Sequence, residues 1–267
     1  MSIFDQKVIK YEMKPLSSLE KVFPDETPVY RMECQMLSGL WGETVSFQVA
    51  YTGDFVMRER LDVRVVSELA EHVHVRTVEM VPVGRATNGI VDDNYLKTTS
   101  GLYPDLLKDL KDGKVIVYSR QWRSLWVDVD ITNEIPAGEY EIELQLIKEG
   151  EVVCSAKQKV TVIGTELPKL DIMHTEWMHA DCLADYYHVE VFSEEHWKLL
   201  ENYFQEYVKR DCNMMLTPLF TSPLDTAIGL ERTTCQLIDV EVKDGEYVFG
   251  FEKLKRWIDL CKKCGIE

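Results

Sequence analysis

The chain has no apolar run near the roughly 20 residues that a membrane-spanning helix needs, so no span is predicted. It is also short of cations. Lys and Arg number 30 against 46 Asp and Glu, a formal net charge of -16. A surface this acidic repels nucleic-acid phosphates and anionic lipid heads, since both are held through Lys and Arg. Neutral ligands such as sugars stay open to it. The stretch from Met1 to Leu16 has no signal-peptide core, because Asp5, Lys7, Lys10, Glu12 and Lys14 interrupt it. The seven cysteines are odd in number and irregular in spacing, which points to a reducing compartment, the cytoplasm by default. There is no Gly-rich phosphate loop and no GxSxG elbow, and no cofactor is expected.

What is present is a globular chain of 267 residues, 45% hydrophobic, long enough for two domains. Up to about residue 165 it reads as strands. Glu43–Tyr51 alternates polar and apolar residues and breaks at Gly53, the period of a half-buried strand. Leu61–Val65, His72–Arg76, Ser124–Ile131 and Glu139–Leu146 repeat the pattern, and a turn at Glu149-Gly150 leads to Val152-Val153 and then Lys159–Ile163. Short strands with one polar face each predict an antiparallel, immunoglobulin-like β-sandwich over residues 1–165. Pro136–Tyr140 is read as a turn feeding a strand, with Tyr140 as a buried anchor. Asp92–Gly113 interrupts the pattern and is expected to be a loop packing against the second domain.

After Gly164–Pro168 the pattern changes, and residues 166–267 form a second domain. Leu170–His174 predicts a strand. Ser193 is placed to cap a helix whose first turn holds Glu194 and Glu195, with Trp197, Leu200, Phe204, Tyr207 and Val208 at helical spacing and Lys209-Arg210 at its close. Cys212–Pro218 predicts a second strand. A hairpin turning at Asp244-Gly245 follows, and then a helix carrying Leu254, Trp257, Ile258 and Cys261 on one face and stopping at Gly265. This β-α-β-hairpin-α order implies parallel strands with helical crossovers, the first two βα units of a truncated (β/α)8 TIM barrel. Two units do not close a barrel that needs eight, so the expectation is the N-terminal part of a longer protein. The alternative is a complete protein with a small α/β appendage.

Polar residues gather after each predicted barrel strand, where (β/α) barrels hold their substrates. The first cluster, His174–His188, contains three of the six histidines, three carboxylates and three aromatic residues. An indole such as Trp177 can stack on the apolar face of a pyranose, while His174, Glu176, His179 and Asp181 can hydrogen-bond its hydroxyls. Two alternatives remain. His174 and Glu176 could satisfy backbone groups while Trp177 plugs the barrel mouth, or His174, Glu176, His179 and Asp181 could ligate a metal. The second cluster, Thr217–Thr234, offers Asp225 and Arg232, either as substrate contacts or as an ion pair pinning a long loop. Cys261-x-x-Cys264 lies in the last turn of a predicted helix with no second pair, so it is read as structural. Trp122 and Trp126, four residues apart, are read as sharing a strand face, in core packing rather than as a sugar platform.

The phrases HTEWMHADCLADYY, EVFSEEHW, NMMLTPLFTSPLDTAIGLERTT and FGFEKLKRWIDLCKKCGIE resemble glycoside hydrolase domain-containing proteins related to glycoside hydrolase family 123. The resemblance covers residues 168–267; over the sandwich it is looser, through WGETVSFQVAY and SLWVDVDI. It implies a β-sandwich before a catalytic barrel, and retaining hydrolysis of a terminal β-linked N-acetylgalactosamine or related sugar. In that family the substrate's acetamide attacks the anomeric carbon, an Asp polarises it and an adjacent Glu protonates the leaving oxygen. The one Asp-Glu dipeptide here is Asp25-Glu26, in the first domain. The expectation is therefore that the catalytic pair lies beyond Glu267 and that these residues alone are inactive.

Overall fold

The computed structural model describes residues 10–29, 36–55, 57–87, 89, 91, 95–169, 171–221 and 226–266. The chain divides into two compact units, Met1–Leu167 and Pro168–Glu267. No helix among the described residues is long and apolar enough to cross a membrane.

The first unit consists of two five-stranded sheets. One runs in the order β1 (Lys10–Ser17), β3 (Thr44–Asp54), β8 (Arg123–Asp130), β5 (Val73–Val83) and β6 (Gly101–Asp109). The other runs β2 (Met36–Trp41), β10 (Glu151–Glu166), β9 (Gly138–Lys148), β4 (Glu59–Val66) and β7 (Lys114–Val117). Neighbouring strands are antiparallel except β2, which runs parallel to β10.

Period-two alternation explains where the core sits. Phe47, Val49 and Tyr51 of β3 and Leu125, Val127 and Val129 of β8 join Ile142, Leu144 and Leu146 of β9 and Val160 and Val162 of β10 in one buried cluster. Because both sheets contribute, the core lies between them. Strand β3 is covered on its outer face as well. Ala50 packs there with Leu16, Val22 and Trp122, and the buried Gln48 amide donates to the carbonyls of Ser17, Ser18 and Glu20 while accepting from Ser124 Oγ. That amide is satisfied, so its burial costs little.

Four expectations need correction here. Asp92–Gly113 is not all loop, because Gly101–Asp109 pairs with β5 as an edge strand. Pro104 hides it in the sequence, since proline suggests a break; an edge strand tolerates the missing donor. Val152-Val153 and Lys159–Ile163 belong to one long strand, β10. Trp122 precedes β8 rather than lying on it, and the half-buried Trp126 donates Nε1–H to Asp128 Oδ1 at 2.7 Å. Tyr140 is half-buried, and its hydroxyl donates to the carbonyl of Pro136 at 2.8 Å, tying down the turn.

The second unit holds α1 (Ala180–Tyr187), α2 (Glu194–Val208), the hairpin β11 (Asp239–Lys243) and β12 (Glu246–Gly250), and α3 (Glu252–Cys264). Ser193 caps α2, its hydroxyl accepting from the His196 N–H. Asp244 and Gly245 take φ values of 54° and 86°, the left-handed pair that a two-residue hairpin turn requires. Trp197, Leu200, Phe204, Leu237, Trp257 and Cys261 form the core. The ion pairs Glu194–Arg256 and Glu201–Lys263 advance seven residues on both helices, so α2 and α3 run parallel.

The two predicted barrel strands are absent among the described residues; Leu170 lies outside them. Segments 171–179 and 212–218 do lie side by side, but the N–H groups of Asn213 and Met214 both reach the one carbonyl of His174, at 3.0 and 3.1 Å. Side chains do the rest: Asn213 accepts from the His174 N–H and donates to the Ile172 carbonyl. Contacts converging on one residue make no ladder. Ala180–Tyr187, within the first polar cluster, is helix α1, and Ile258, expected on the buried face of the last helix, points outward with 42% of its surface exposed.

His196 is fully buried. The Phe192 N–H donates to its Nδ1 at 2.9 Å, which leaves Nε2–H to donate to the Ala180 carbonyl, also at 2.9 Å. Burial holds its pKa below the ordinary imidazole value. The unfolded chain therefore takes up a proton that the folded one refuses. The second unit should keep its full stability above about pH 6.5 and lose it progressively as the pH falls further. Urea midpoints followed by tryptophan fluorescence should drop on acidification, and less so in His196→Gln; an equal drop in both would contradict the assignment. In the first unit, Leu144→Ala should cost about 2–5 kcal/mol in urea unfolding. A loss under about 1 kcal/mol would show that the sheets do not pack there as described.

Candidate functional site

Helix α1 organises the polar residues of the second unit. Asp181 and Asp185 stand one turn apart and so share a face. Asp185 accepts from Thr233 Oγ1 at 2.8 Å. Asp181 accepts a two-pronged contact from Arg232, with Nε to Oδ2 at 2.6 Å and Nη2 to Oδ1 at 3.0 Å. The side chains of Arg232 and Asp181 are only 13% and 9% exposed. This charge-assisted fork clamps the segment around Arg232 onto the start of α1. Asp181 also lies in the first turn, where the helix dipole favours a negative charge.

The clamp forms one wall of a pocket of about 180 Å³. Trp177, His179 and Asp181 line it from one side, Thr217, Phe220 and Thr221 from another, and Arg232 and Cys235 close it. Thr221 Oγ1 accepts from the Cys235 N–H at 3.0 Å, and the Leu237 N–H donates to the Pro218 carbonyl at 3.0 Å, fixing the second wall to the third. Trp177 is 66% exposed and Phe220 55% exposed, so two aromatic faces stand open beside a buried ion pair. The Cys235 thiol is pushed up to about 12, first by burial and then by the charge of Asp181. It stays protonated at neutral pH and is no nucleophile.

Trp177, His179, Asp181 and Arg232, selected from the sequence, thus share this pocket. His174 and Glu176 do not line it. The His174 ring lies 3.1 Å from the Asp211 carbonyl and 3.4 Å from Glu176, beside Cys212 Sγ. The Glu176 side chain is exposed, and its backbone N–H donates to the Tyr207 hydroxyl at 2.7 Å. Asp225 lies outside the described residues. Arg232 takes Asp181 as its partner across 51 positions, a pairing that no sequence pattern announced. Thr217, Phe220 and Thr221 sat in the second polar cluster but carried no charge to single them out. Among the described residues, no group of three or more His, Cys, Asp or Glu side chains is placed to hold a metal ion. In the Cys261-x-x-Cys264 pair, burial raises both thiols, Cys261 to about 11.

Removing one partner of the clamp strands the other charge in a poorly hydrated place. Asp181→Ala should destabilise the second unit by about 3–5 kcal/mol, read as a lower urea midpoint. Unchanged stability would mean that Arg232 simply swings into solvent.

Residues 177–267 match the family described as Glycoside hydrolase 123, catalytic domain. No curated protein matches the chain. Among solved structures, the chain is similar to a family 123 glycoside hydrolase from Clostridium perfringens, characterised for glycolipid glycan hydrolysis. The TM-score is 0.70 at 13% identity, covering 97% of this chain and 46% of that one. The chain therefore spans about half the length of that enzyme. A β-glucosidase from Listeria innocua follows at 10% identity and a TM-score of 0.27, covering 60% of this chain and 17% of that one, too weak to argue from. By the match over its second unit and by its fold, the chain is related to glycoside hydrolase family 123.

Proposed function

We propose that the chain is part of a glycoside hydrolase acting on a β-linked N-acetylhexosamine, with N-acetylgalactosamine the first candidate, and that the Trp177–Arg232 pocket contacts the sugar. The observation that carries this reading is positional. Every residue lining the pocket, from Trp177 to Cys235, falls inside the stretch that matches the family 123 catalytic domain.

The pocket's chemistry supports it. An exposed indole offers a flat apolar face to a pyranose ring. His179, Thr217 and Thr221 bring polar groups that could meet its hydroxyls, while the Asp181–Arg232 clamp keeps the walls apart at a fixed distance. In the substrate-assisted scheme the acetamide oxygen attacks the anomeric carbon, an Asp polarises the acetamide and a neighbouring Glu protonates the leaving oxygen. Residues 168–267 contain no Asp-Glu dipeptide. In this reading they bind and orient the sugar, and the acid and the polariser come from other residues of the whole protein.

The same proposal takes the first unit as an immunoglobulin-like sandwich and the second as the opening of a (β/α)8 barrel. Two mostly antiparallel sheets around one core support the former. The parallel α2 and α3, and the adjacent segments 171–179 and 212–218, support the latter. Free thiols at all six described cysteines fit a cytoplasmic location.

Calorimetry with N-acetylgalactosamine should show binding that Trp177→Ala weakens by about 0.5–1.5 kcal/mol beyond the lost contact area. An unchanged dissociation constant would return Trp177 to a purely structural role. The whole protein should release the aryl group from an aryl N-acetyl-β-hexosaminide. Binding without any turnover would instead make it a carbohydrate-binding protein.

A further inference from the structure

The first unit contains a second and larger concavity. It measures about 750 Å³ and lies between the β4–β7 edge of one sheet and the β5–β6 edge of the other. Core side chains fill the rest of the space between the sheets. Here charged side chains stand among apolar ones such as Val78, Met80 and Ile116, and the ladder is irregular: the β5–β6 register shifts between Val78 and Met80, so Glu79 faces a bulge on β6. Bulges of this kind occur where a sheet edge is re-aimed beside a binding site.

Its charge runs against that of the chain. Arg58, Lys108, Lys111 and Arg123 all line the cleft, and none has a carboxylate within ion-pair distance among the described residues. Of the lining carboxylates, Glu59 is already held by Lys148, at 2.9 Å to both oxygens, and by the Tyr11 hydroxyl. That leaves Glu79 and Asp109 against four cations, in a protein whose net charge is -16. Positive charge concentrated in a concave, low-dielectric wall focuses an attractive field on anions.

Arg123 is held in place for this. Its guanidinium sits over the Tyr118 ring, 5.0 Å from the centroid, and Nη2 donates to Gln121 Oε1 at 3.0 Å. Its Nε is buried and has no hydrogen-bond partner, a cost that a structure rarely carries without use. A planar guanidinium fixed by stacking is well suited to a carboxylate or sulfate.

From this convergence we infer that the cleft lined by Arg58, Lys108, Lys111 and Arg123 is a binding site for a small ligand bearing an oxyanion, carboxylate or sulfate. Its volume falls within the range of small-molecule pockets. The site lies wholly in the first unit and is independent of the hydrolase reading.

The test is calorimetry on the whole chain at fixed ionic strength, with inorganic sulfate, glucuronate, N-acetylglucosamine 6-sulfate and neutral N-acetylglucosamine. The anionic ligands should bind one per chain and weaken as salt is raised. Arg58→Glu with Lys108→Glu, both exposed positions, should weaken them at least tenfold, while Lys159→Glu, outside the cleft, should not. Arg58→Gln with Lys108→Gln tests the same point if the reversed pair misfolds. Sulfate binding as tightly as the acidic sugars would uphold a plain oxyanion site; tighter sugar binding would uphold an acidic saccharide. Absence of anion binding, indifference to the substitutions, or equal affinity for the neutral sugar at this cleft would overturn the proposal.

Discussion

The fork between Asp181 and Arg232 holds together two walls of the pocket that Trp177 opens. It joins the first turn of α1 to a segment 51 residues further on, and with Thr233 on Asp185 it sets two walls at once. The fork lies in a site that is poorly exposed on both sides. There an ion pair with good geometry is costly to break singly, even though its net contribution to stability is small. Its value is positional. Together with the Cys235–Thr221 hydrogen bond, it joins the backbone segments that carry the exposed Trp177 and Phe220.

The two units rely on different physics. In the first, alternating β-branched and aromatic residues from both sheets meet in one core, and charged side chains remain at the rims. The cleft between the β4–β7 and β5–β6 edges gathers Arg58, Lys108, Lys111 and Arg123 beside that core. In the second unit, parallel helices pack through Trp197, Phe204 and Trp257, and Arg256 lies over the Trp197 ring as well as pairing with Glu194. The irregular segments there are held by single side chains such as Asn213 and Tyr207.

Much of this was legible in the sequence wherever a local rule decides the outcome. Alternation located β3, β4, β8 and β9. Ser193 located the start of α2, and Asp244-Gly245 located the hairpin turn. Non-local outcomes were not legible. Apolar runs at 170–174 and 212–218 look like strands, yet a strand is defined by its neighbours, and these two segments share one carbonyl. Pro104 concealed an edge strand because its cost depends on which side of the sheet it faces. Among the site residues, composition pointed to Trp177, His179, Asp181 and Arg232, but nothing local separated His174 and Glu176 from them. The cationic cleft is assembled from six strands and their connections, so no window of sequence displays it.

On the proposed function, the pocket beside the Asp181–Arg232 clamp receives a sugar. A crystal structure of the protein soaked with N-acetylgalactosamine tests this most directly. A pyranose ring should stack on the Trp177 indole with its hydroxyls toward His179, Thr217 and Thr221. A sugar bound elsewhere in the second unit, or a pocket that stays empty at saturating sugar, would contradict it.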